Sequence, residues 1–139
     1  MQTNDDELRR ILTTTKTIAL VGWSPNPDRP SHYVAKFLTL KGYRVIPVNP
    51  GQAGQFVNGE LVHAGLADIA VHVDMVDIFR RSDEVGSVVD EALHSLPGLK
   101  TIWMQLGIEH EVAAVKARTA GVAVVMNRCP AIEIPRLGL

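Results

Sequence analysis

The chain alternates. Five short apolar segments, "TIALVG" (17–22), "YRVIPV" (43–48), "VDMVDIF" (73–79), "KTIWMQLG" (100–107) and "VAVVM" (122–126), are separated by longer stretches, most of them with helical periodicity. The apolar runs are rich in valine and isoleucine and nearly continuous, as strands buried on both faces are. Between the third and fourth, Val85, Val88, Val89, Ala92, Leu93 and Leu96 recur at the spacing of one helix face, and Ser82, Asp83 and Glu84 suit that helix's start. Ser31 is placed to cap an earlier helix carrying Val34, Phe37 and Leu38, which Gly42 stops. Residues 109–120 read as a third helix, ended by Gly121, and Asn4 with Glu7 suits a cap before Leu8, Ile11 and Leu12. Strand, helix and strand at this spacing require right-handed crossovers, hence a parallel α/β sheet of about five strands covered on both faces.

No repeat or low-complexity linker interrupts the pattern, so residues 1–139 are read as a single domain; at 46% hydrophobic content such a chain can bury a real core. The formal charge of −1 provides no global field for nucleic acid or an anionic membrane, and any anion site must be local. Cys129 is the single cysteine, which excludes an intrachain disulfide and a cysteine metal cluster. The polar, acidic start "MQTNDDELRR" is unlike a signal peptide, and no run has the apolar length of a membrane span, so a cytoplasmic protein is expected.

Doubly wound sheets bind ligands beyond the carboxyl ends of their strands. In the first such window, "GWSPNPDRPS" (22–31), Pro25, Pro27 and Pro30 stiffen the loop and remove amide donors. Arg29 supplies a guanidinium suited to phosphate, and Ser24, Ser31 and the amides of the helix start add donors. The same residues also suit a proline-rich turn with a surface arginine. In the second window Asn49 and Pro50 stand where a dinucleotide site carries an acid for the ribose, and no acid follows until Glu60. With no Gly-x-Gly-x-x-Gly, this argues against NAD or FAD. The third, "DIFRRS", offers Phe79 as an apolar surface for a purine and Arg80 as a second cation, or else a core phenylalanine beside arginines paired with nearby acids. Gln105 and Gly107 mark the fourth, and Asn127, Arg128 and Cys129 the fifth. The five histidines are scattered, and no nucleophile–base pair or metal-like cluster appears.

Taken together, "IALVGWSPNPDRPSHYVAKFL", "GYRVIPVNP", "VDMVDIFRRSDEV", "IWMQLG" and "MNRCPAIE" resemble the small CoA-binding protein family. Its members are stand-alone Rossmann-like domains similar to the CoA-binding domain of the succinyl-CoA synthetase alpha subunit. The resemblance spans residues 5–137 and implies coenzyme A or an acyl-CoA lying across the strand ends. It implies that Gly22, Ser24, Arg29 and Pro30 form the phosphate loop and that Asn49 and Pro50 make a second-strand contact. Ile78, Phe79 and Arg80 would then face the adenine, and Gln105 and Gly107 the pantetheine arm. Trp23 stands where the family usually has a small residue, as a lid on the ligand or as packing against the helix at Ser31. Gln52 takes the approximate place of a synthetase lysine, and Asn127 that of an aspartate common in the family.

The synthetase's phosphohistidine lies in a domain not represented here, so the resemblance implies binding without a reaction. The expectation is a non-catalytic module for a small CoA ligand, with neither nucleic acid nor membrane as partner and Cys129 as a structural thiol. The alternatives are a nucleotide-dependent enzyme such as an NAD-type reductase, and a scaffold that kept the fold but lost the ligand.

Overall fold

The computed structural model describes residues 3–139. Helix α1 (Asp5–Thr14) starts as its sequence directs: the Asn4 side chain accepts the Glu7 N–H at 2.9 Å. Strand β1 (Thr17–Val21) follows, then α2 (Pro30–Leu40) and β2 (Arg44–Val48). The cap at α2 differs from expectation, because helix geometry begins at Pro30 with Arg29 as N-cap. Proline is pre-organised for the first helical position. Ser31 is therefore inside the helix and buried, where its Oγ accepts the Ser24 N–H at 3.0 Å.

After β2 the chain makes a hairpin of two-residue strands, β3 (Phe56–Val57) and β4 (Glu60–Leu61), which the apolar pattern does not announce. Asn58 and Gly59, both at positive φ, turn it. An Asn-Gly pair is the local signal for such a turn. The hairpin covers the open edge of β2: the His63 N–H donates to Pro47 O, the Asn49 N–H donates to His63 O, and Arg44 reaches Glu60 at 2.8 Å.

Strand β5 (Met75–Ile78) returns to the sheet, a 3-10 turn at Ser82–Glu84 leads into α3 (Val85–Ser95), and β6 (Thr101–Met104) follows. Then come α4 (Glu111–Thr119), capped by His110, β7 (Ala123–Val125) and the short α5 (Pro130–Arg136). The five long-range strands are all parallel, in the order β2-β1-β5-β6-β7.

Strict alternation sorts the strand residues between two cores. Ala19, Val21, Val76, Ile78, Ile102, Met104 and Val124 face α3 and α4. Ile18, Leu20, Met75, Trp103 and Val125 face α1, α2 and α5. No helix among the described residues is long and apolar enough to cross a membrane.

Candidate functional site

The strand order reverses between β1 and β5, so α2 leaves on one face and α3 on the other. This opens a crevice at the carboxyl ends of those two strands, the switch point at which doubly wound sheets hold ligands. The loops lining it are 22–29 and 79–84.

Gly22 sits at φ +90°, and a Cβ there would lie 2.5 Å from the Phe79 carbonyl oxygen. Only glycine lets the β1 end pass that close to β5. Beyond it the loop satisfies itself. Gly22 and Trp23 donate to Val48 O, Ser24 to Ser31 Oγ, Asn26 to Ser24 Oγ, Asp28 to Asn26 Oδ1, and Arg29 to Asn26 O. His32 Nδ1 lies 2.9 Å from Ser24 O. Pro25, Pro27 and Pro30 have no N–H to offer. Among the described residues, the Ser31 N–H is the one amide from 22 to 32 without an acceptor. The expected contribution of backbone donors is thus reduced to one, and Arg29 carries the charge. Its guanidinium is exposed and meets no carboxylate among the described residues, whereas Arg80, Arg128 and Arg136 are all ion-paired.

Asn49 locks this loop to the second strand end. Its Nδ2 donates to Trp23 O at 2.6 Å while its Oδ1 accepts the Gly51 N–H at 2.8 Å. Both ends of the amide are therefore occupied, and its role is to position the loop. Pro50 opens the 3-10 turn Pro50–Gln52, and Gln52 Oε1 accepts from Gln55.

Trp23 is not a lid. The ring is 3% exposed, packed into the core between the sheet and α2, with His32 tilted over it at a centroid distance of 5.8 Å. An indole released from the sheet at Gly22 gains more by burying its apolar surface under α2 than by standing in water. Trp103 is fully buried, and its Nε1 donates to Arg128 O at 2.8 Å.

The third window is divided. Ile78 is fully buried on the opposite face of the sheet, among residues packed on α3, so it is core and not an adenine contact. Phe79 is half-buried on the α2 face. Arg80 is engaged by Glu84 at 2.6 Å, and Arg81 by Asp83 and Glu84. Gly107, at φ +80°, donates its N–H to Asn127 Oδ1 at 2.7 Å, which ties the β6 and β7 ends together. Asn127 itself is at φ +56°, a conformation asparagine tolerates. Gln105 is 6% exposed, with its Oε1 unpartnered. Cys129 is a buried free thiol preceding α5. Gly22, Ser24, Arg29, Pro30, Asn49 and Phe79 thus lie together around the carboxyl ends of β1, β2 and β5.

Two open clefts of about 470 and 530 Å³ lie at the other end of the sheet, one beside Lys16, Lys41 and Tyr43, the other beside Lys100 and Arg118. Of their cations, Lys100 meets Asp74, Arg118 meets Glu111 and Arg44 meets Glu60, while Lys16 and Lys41 meet no carboxylate among the described residues. The strand-end geometry, with Arg29 at the start of α2, lies at the opposite pole.

Residues 16–135 match the family described as a CoA binding domain, and the chain belongs to that family. The Bacillus subtilis (strain 168) protein YneT is 36% identical over 123 residues, 88% of each chain. A solved structure from Thermus thermophilus shares 39% identity at a TM-score of 0.91, over 97% of this chain and 99% of the other. One from Pyrococcus horikoshii OT3 shares 36% identity at a TM-score of 0.90, over 99% and 94%.

Proposed function

We propose that the protein is a cytoplasmic, non-catalytic module binding coenzyme A or an acyl-CoA in the β1/β5 crevice. The observation that carries this is the loop at 22–31, whose amides other than the Ser31 N–H all have acceptors within the protein while Arg29 stays exposed and unpaired at the start of α2. A phosphate there meets a bidentate cation, the Ser31 N–H and the positive end of an 11-residue helix. Phe79 offers the adenine ring a flat surface, and the β6 end lies along the path of the pantetheine arm. Membership of the CoA-binding family supports the choice of ligand. Ser24 Oγ accepts the Asn26 N–H while His32 Nδ1 turns to the Ser24 carbonyl, an arrangement that favours binding over nucleophilic turnover.

A competition titration of CoA, dephospho-CoA, NAD and ATP tests this reading. CoA is expected to bind tightest. Displacement of CoA by NAD at equal concentration would favour a nucleotide-dependent enzyme, and binding of none of the four would favour a scaffold.

A further inference from the structure

The described residues hold four buried side-chain polar atoms without a hydrogen-bond partner: Trp23 Nε1, both carboxyl oxygens of Asp77, and Gln105 Oε1. They are not scattered. In the strand register Asp77 lies between Leu20 and Trp103, and like Met75 two residues earlier it points to the α2 face. The next row on that face holds Phe79 and Gln105, since the Gln105 N–H continues the ladder to Ile78 O. Trp23 enters the same core from the end of β1. All three side chains therefore belong to one face, toward the carboxyl end of the sheet.

Asp77 is completely buried, and burial pushes its carboxyl well above the ordinary range. The second aspartate of the same segment shows the contrast. Asp74 accepts the N–H groups of Lys16 and Thr17 and lies 2.8 Å from His72 Nε2. A buried polar group without partners is costly, and native proteins usually satisfy such groups with ordered water. The chemistry of the three side chains is complementary to water: the indole only donates, the amide oxygen only accepts, and a carboxylic acid does both.

We propose that Asp77, Gln105 and the Trp23 indole form an internal site for ordered water beneath the crevice, through which Asp77 positions the phosphate loop. Trp23 joins the site to that loop, since its own carbonyl is held by Asn49. Gln105 joins it to the β6 end. The site is read from this chain's own polar atoms, whereas its effect on the ligand rests on the CoA reading above.

The test uses the Trp103→Phe protein, which leaves Trp23 as the one remaining indole of two. In this background Asp77→Leu replaces the hydrogen-bonding carboxyl by an apolar group of the same branched shape, and Asp77→Asn keeps a polar group. The expected result for Asp77→Leu is a blue-shifted Trp23 emission and CoA binding weakened by about tenfold, the equivalent of one lost hydrogen bond. Asp77→Asn should retain the parent emission and bind within about twofold, as expected where the polar group is still satisfied. Unchanged emission and affinity in Asp77→Leu would overturn the proposal, as would a high-resolution crystal structure with no water within reach of Asp77. If Asp77→Leu does not fold, Gln105→Met gives the same emission readout, and no shift there counts against the site. If the parent does not bind CoA, the ligand reading fails and the emission shift still decides the internal site.

Discussion

At Gly22 and Arg29 single residues set what the crevice can do. Gly22 combines φ +90° with a Cβ position 2.5 Å from a backbone oxygen, which cannot move away as a flexible side chain can. Gly22→Ala is expected to destabilise the fold by more than about 1 kcal/mol, beyond the usual range for a glycine at ordinary φ, and denaturant melts will measure it. Arg29 is the opposite case, exposed and unpaired, so its removal should hardly change the melting temperature. Arg29→Ala should nevertheless weaken CoA binding by about 1–3 kcal/mol, the range for a charged hydrogen bond, as read by calorimetry. Normal binding by that variant would remove Arg29 from the site. Arg80, read from the sequence as a second cation or as an arginine paired with nearby acids, is paired with Glu84.

The element that organises the molecule is β5, and Asp77 within it and Asp74 just before it behave oppositely. At the foot of the strand Asp74 feels burial, which raises its pKa. The Thr17 and Lys16 amides and His72 outweigh that and bring it down to about 2. A carboxylate with a depressed native pKa contributes stability above its unfolded pKa, near 3.8, and loses it as the pH falls through about 2. Asp74→Ala should therefore lower the unfolding free energy at neutral pH by at least about 2 kcal/mol and flatten the acid limb between pH 4 and 2. Urea melts across that interval test both points. CoA affinity should be unaffected, because Asp74 is at the amino end of β5, away from the crevice.

For the whole molecule the governing cost is Asp77 in the middle of the sheet. Its native pKa is raised, so the folded protein keeps a proton that the unfolded chain releases above about pH 4. The stability associated with Asp77 is fully present below that pH and is lost as the pH rises toward the native pKa. Where only Asp77 differs in protonation, the slope is at most about 1.4 kcal/mol per pH unit. Asp77→Asn cannot ionise, so its advantage over the parent protein should grow as the pH rises above about 4. Parallel stability curves would mean that Asp77 is ionised in the native state.

Alternation of apolar runs with helical periodicity was enough to determine the layer architecture, because strands buried on both faces and amphipathic helices have few other ways to pack. The motif spanning Gly22 to Ser31 likewise pointed to the crevice, since Gly, Pro and Arg act there through local backbone geometry and charge. Helix α5 was hidden by Pro130 and Pro135, and the hairpin at Phe56–Leu61 by strands too short to show a period, though Asn58-Gly59 marked its turn. Tertiary structure alone decided which neighbours each residue meets. Trp23 went under α2, Ile78 to the far face and Arg80 to Glu84, while Asp77 was sealed between Leu20 and Trp103. The physical reason is that face and partner depend on the register of strands distant in sequence: one residue's shift turns a ligand contact into core, and no local pattern carries that register.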